Sequence, residues 1–145
     1  MSTKEVQNTI VENMKRWQAI EDSAVSSTGQ IIEKTDNPLI RMVMEIIQHD
    51  SQMHYRVQEF IANSLEVKPV TITPEDLEKV WDLVDNHIRI EEKTVEMAEK
   101  ALEALKGRKI VVAEYLINYL LRDESKHNAL LADFAVIKKG MYPYG

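Results

Sequence analysis

At 145 residues, with 44% hydrophobic and 29% charged side chains, the chain has the size and composition of one soluble globular domain. A formal net charge of -6 disfavours a phosphate backbone as partner, and no apolar run approaches the roughly 18 residues that a membrane span requires. The absence of cysteine excludes disulfides, thiolate metal ligands and iron–sulfur clusters, so any metal must be held by nitrogen and oxygen.

The first predicted helix covers residues 3 to 33 and stops before Asp36-Asn37-Pro38, because a residue preceding proline is pushed out of the helical region. Its opening stretch lacks the basic start and uninterrupted apolar segment of a secretory leader, which predicts a cytoplasmic protein. A second helix is predicted from 38 to 66, followed by a linker over 67–73 that contains Pro69. Thr73-Pro74-Glu75-Asp76 combines an N-cap, a proline at the first helical position and acids in the first turn, so a third helix is predicted over 74–105. Gly107 supplies its stop, and a fourth helix is predicted over 109–139, ending at Gly140. The tail Met141-Tyr142-Pro143-Tyr144-Gly145 is expected to be loose or packed on a partner, in keeping with a homo-oligomer such as a homodimer.

Helices of this length run for about 45 Å, whereas the short middle linker reaches at most about 25 Å. The linker is too short to cross the length of a bundle. The fold class predicted is therefore an all-α, antiparallel four-helix bundle, a single domain over 1–145, with up-down-up-down topology.

Positions spaced alternately three and four apart should form the buried stripe of each helix. In the first helix these are Val6, Ile10, Met14, Trp17, Glu21 and Ala24; in the second they include Ile46, Asp50, His54, Val57 and Ile61. The third gives Leu77, Val84, His87, Glu91, Val95 and Ala98; the fourth gives Ile117, Leu120, Glu124, His127, Leu131 and Phe134. One acid interrupts the apolar stripe of every helix. Glu21 lies 16 residues before Asn37 and Asp50 lies 13 after it, while Glu91 lies 16 before Gly107 and Glu124 lies 17 after it. In a bundle of this topology all four carboxylates are expected in one layer. His54, His87 and His127 shift from that layer toward the same end, and His49 at the edge of the stripe is read as a surface residue.

Four carboxylates in an apolar core repel and take up protons unless cations neutralise them. Two divalent ions supply the required charge, and carboxylate with imidazole suits iron, manganese or zinc, whereas calcium has no use for the histidines. Arg56, Arg89 and Arg122 are the basic residues that could neutralise single acids instead. The predicted metal site is Glu21, Asp50, His54, Glu91, Glu124 and His127, with His87 as a further candidate ligand.

These residues resemble the ferritin-like carboxylate proteins, the rubrerythrin branch in particular, which place Glu, Glu-x-x-His, Glu and Glu-x-x-His on successive helices. Glu21, Glu91 and Glu124–His127 match three of these elements; on the second helix the aligned position is Asp50, with Met53 three later and His54 displaced by one residue. The family's long crossover and the cysteine-ligated rubredoxin iron are both absent from this sequence. The resemblance implies a di-iron cofactor, with manganese or zinc as substitutes, and an oxidoreductase that reacts with dioxygen or peroxide. Two other readings stay open: a hemerythrin-like oxygen carrier, suggested by His87-x-x-x-Glu91, and a non-catalytic interaction bundle with a structural metal or a salt-bridged polar layer.

Overall fold

The computed structural model describes residues 1–140, and the expectation for the tail at 141–145 lies outside the described residues. The described chain is all-α, with α1 at Thr3–Lys34, α2 at Pro38–Glu66, α3 at Pro74–Glu78, α4 at Trp81–Leu105 and α5 at Val111–Lys138. It divides into two compact units, Met1–Val70 and a second beginning at Thr71. Among the described residues, no helix is long and apolar enough to cross a membrane.

The first unit is a hairpin of α1 and α2. Ser2 opens α1 with a capping box, its hydroxyl accepting the Glu5 N–H while the Glu5 side chain accepts the Ser2 N–H. Asn37 performs the same task for α2, its Oδ1 accepting from Leu39 and Ile40, with Pro38 filling the first helical position, where no N–H is needed. The intervening turn is closed by Arg41, whose Nη1 donates to the Ile32 carbonyl at 2.7 Å and the Thr35 carbonyl at 3.0 Å. Those carbonyls, at and just beyond the last turn of α1, have no helical partner, so the guanidinium satisfies them. Cross-hairpin bonds from Gln48 to the Val25 carbonyl and from Gln58 to Glu21 fix the two helices in opposite directions. Val11, Met14 and Ala62 form the buried cluster, with Ile61 and Leu65 packed against it.

The second unit contains α3, α4 and α5. The single helix predicted over 74–105 is divided at Val80, whose φ of -120° and ψ of 5° leave the helical region. Neither glycine nor proline stands there, so no local breaker explains the division. The cause is tertiary: α3 packs against α5, and Leu77 is buried at 4% exposure. Lys138 near the end of α5 reaches both neighbouring elements, lying 4.0 Å from a Glu78 oxygen and 5.0 Å from the centroid of the Trp81 ring. Between α4 and α5, Gly107 adopts φ +76°, the left-handed conformation that glycine enters without a Cβ penalty.

Candidate metal centre

The second unit gathers four of the predicted site residues between two helices. From α4, His87, Glu91 and Thr94 recur at helical spacing on one stripe; from α5 come Asp123, Glu124 and His127. Glu91 is buried, with 7% exposure, while Glu124 and His127 are half-buried. His87 Nε2 lies 2.9 Å from Glu91 Oε1 and so occupies one carboxylate oxygen. His127 Nδ1 lies 3.4 Å from Glu91 Oε2 and 3.5 Å from Glu124 Oε2, within ion-pair range of both acids. The Thr94 hydroxyl sits 3.0 Å from Glu124 Oε2 and 2.7 Å from the Glu91 carbonyl, and can donate to one of them at a time. Asp123 Oδ2 stands 3.6 Å from the other ring nitrogen of His127, placing a carboxylate behind the imidazole as metal-binding histidines commonly have.

Two features make this group suited to a cation. Glu91 Oε2 is buried and makes no well-formed hydrogen bond; its neighbours are the long ion-pair contact from His127 Nδ1 at 3.4 Å and the Glu124 carboxyl, an arrangement that a cation between them would satisfy better. One ligand atom from each of Glu91, Glu124 and His127 also falls within 4.8 Å of the others, so one ion can be reached by all three. The donor set is two carboxylate oxygens and one imidazole nitrogen, which favours iron, manganese, cobalt or zinc over calcium.

The electrostatics point the same way. A hydrogen bond with Glu124, assisted by His87 and His127 and opposed by burial, holds the Glu91 carboxyl below the usual range. That same bond with Glu91, together with burial, pushes Glu124 up, and the Thr94 hydroxyl opposes the rise. The two acids therefore titrate as a pair, in which Glu124 is the later to lose its proton. A cavity of about 490 Å³ adjoins the pair, lined by Ile90, Thr94, Met97, Ile117, Leu120 and Glu124. Its lining is mostly apolar, with Lys93, Thr94 and Glu124 as its polar members.

The first unit brings together two more of the predicted residues. Glu21 is buried at 6% exposure, and His54 Nδ1 lies 3.3 Å from its Oε2. Gln58 Nε2 donates to the same oxygen at 2.9 Å. Asp50, one turn before His54, is half-buried, whereas His49 is exposed, in agreement with its reading as a surface residue. The residue three before His54, matching the Glu124–His127 spacing, is Ser51, and it is buried at 6% exposure. Two of the arginines that could have neutralised single acids are engaged elsewhere, Arg89 with Asp85 and Arg56 beside the Met53 sulfur.

Thr94, Asp123, Ser51 and Gln58 were not among the predicted site residues. Each stands three or four positions from a predicted ligand along its helix, so spacing alone could have nominated them; nothing in their chemistry distinguished them from ordinary helix residues. Compared with known protein families, curated proteins and solved structures, the chain matches none.

Proposed function

We propose that this chain is a helical metal-binding protein that holds a divalent transition-metal ion between α4 and α5 on Glu91, Glu124 and His127. The observation that carries the reading is the convergence of the buried Glu91 carboxylate with Glu124 and His127, one ligand atom of each lying within 4.8 Å of the others, where Glu91 Oε2 makes no well-formed hydrogen bond. His87 holds Glu91 Oε1, leaving Oε2 as the free donor. Thr94 orients Glu124, and Asp123 faces the rear nitrogen of His127. Glu124 gives up its proton when an ion enters, so binding releases a proton and strengthens as pH rises through the Glu124 titration.

An iron or manganese ion at these donors would supply redox chemistry toward dioxygen or peroxide, the oxidoreductase activity that the ferritin-like resemblance implies. The protein's own contribution would be the acid pair, which can accept or return a proton at Glu124, beside a mostly apolar pocket. The finer reading, a four-helix bundle carrying two ions, adds Glu21, Asp50 and His54 as donors. It is supported by sequence spacing and by the Glu21–His54 contact.

Metal analysis of the purified full-length chain, followed by titration of the chelator-stripped protein with Zn(II), Mn(II) and anaerobic Fe(II), tests the proposal. At least one tightly held equivalent is expected, lost in Glu91→Gln and in Glu124→Gln. Retention of full binding by both variants would refute it. Less than about 0.2 equivalents in the unaltered protein, with no thermal shift on adding any of the three metals, would favour the non-catalytic interaction bundle instead.

A further inference from the structure

The two units share a buried Glu–His pair, and only the second has a carboxylate three residues before the histidine; around the pair they differ further, with Trp17, Ala24 and Gln58 in the first unit where the second has His87, Thr94 and Leu131. Glu21 on α1 and Glu91 on α4 are both buried acids on the first long helix of their unit. Each presents Oε2 to the Nδ1 of a histidine on the following long helix, at 3.3 Å for His54 and 3.4 Å for His127. Three residues before that histidine the second unit has Glu124 and the first has Ser51. The burial of Ser51 sets it in the interior of its hairpin, where its counterpart provides the second carboxylate. Gln58 completes the contrast. Its Nε2 donates to Glu21 Oε2, the oxygen that pairs with His54, while its own Oε1 is buried and without a partner.

From this we infer that Ser51 is the residue that sets how many ions the chain holds tightly. The first unit is a second divalent-metal site of the same design, with one carboxylate missing. Glu21 and His54 supply one anionic oxygen and one imidazole, and neither Gln58 nor Ser51 carries a charge to add to them. The second unit supplies two carboxylates beside its imidazole. A divalent ion therefore fills the Glu91–Glu124–His127 group first and the Glu21–His54 group at least about tenfold more weakly, since tenfold is only about 1.4 kcal/mol and a charged donor commonly contributes more than that. This inference rests on the metal-binding reading above and adds to it an inequality between two sites and the residue responsible.

The test is a titration of the chelator-stripped full-length chain with Co(II), followed by its ligand-field absorbance, and with Zn(II) by calorimetry. The unaltered protein is expected to show one tight equivalent and one at least about tenfold weaker. Ser51→Glu is expected to bring the second equivalent into the tight class, whereas Ser51→Gln, which adds size without charge, leaves the two classes apart. Two equal tight equivalents in the unaltered protein, or a Ser51→Glu variant that keeps its helical circular dichroism and still saturates at one tight ion, would overturn the inference. Should Ser51→Glu fail to fold, the reciprocal Glu124→Ser decides: it should weaken the first equivalent to the level of the second, and unchanged tight binding would equally overturn the inference. The metal-binding proposal fails separately, by retention of the tight ion in Glu91→Gln.

Discussion

Replacing Glu124 by Gln keeps the side chain's size and its hydrogen bonds while removing the charge that Glu91 opposes. The amide can donate to Glu91, and its carbonyl can still accept from Thr94. In the metal-free protein at pH 7 this substitution should be stabilising. Two unit charges within 4.8 Å of each other repel by at least about 3 kcal/mol at the effective dielectric of about 20 that suits partly buried pairs. His127 beside both acids and the partial exposure of Glu124 reduce this, leaving about 1–2 kcal/mol. For a chain of this size that corresponds to a rise in Tm of about 3–6 °C. The sign follows from the direction of the Glu124 shift. Because its folded pKa is raised above the ordinary value of 4.5, its contribution to stability is complete below that value and is lost as pH rises through the folded one. Wild type should therefore fall behind Glu124→Gln as pH increases from about 4 to 7, and the two should converge near pH 4. Thermal melts by circular dichroism in the presence of chelator, across that range, measure the difference. A variant that melts at or below wild type at pH 7, or a gap of the same size at pH 4, would refute the reasoning. The variant should also lose the metal-induced rise in Tm, so that one substitution stabilises the metal-free form and abolishes the response to metal.

Addition of Zn(II) at about a hundredfold above its dissociation constant should stabilise wild type by about 2.7 kcal/mol, reversed by EDTA and absent from Glu91→Gln; differential scanning fluorimetry measures it. Gly107→Ala forces an L side chain into φ +76°, and an added Cβ meets nothing within 4 Å, so the cost is conformational alone. It should be about 1 kcal/mol, read as a lower urea midpoint at unchanged slope. Thr73→Ala removes the hydroxyl that accepts the Asp76 N–H and should cost about 1 kcal/mol. Its effect should appear first as faster amide exchange in α3, with the α1–α2 hairpin unaffected.

The helices were legible because their ends are written in local chemistry. Pro38 follows an Asn cap, Thr73-Pro74 opens α3, and Gly107 stands at the only left-handed position between α4 and α5; each acts within a few residues, so the sequence carries the signal by itself. The acids of the candidate site were legible for a similar reason. An acid on an apolar stripe conflicts with the period of its helix, and Glu21, Glu91 and Glu124 announced themselves by that conflict. Tertiary packing decided the rest. The division at Val80 has no local cause and follows from the docking of α3 on α5. The contacts that join Glu91, Glu124 and His127, and the upward shift of Glu124 that they cause, exist only once α4 and α5 are packed. Ser51 shows the limit most clearly: in the sequence it is an unremarked serine beside Asp50, and only its burial at the position matching Glu124 gives it a meaning. Sequence determined which residues were candidates for a metal site, because residue type and helical period are local properties; the fold determined which of them converge, because that depends on distances that only packing sets.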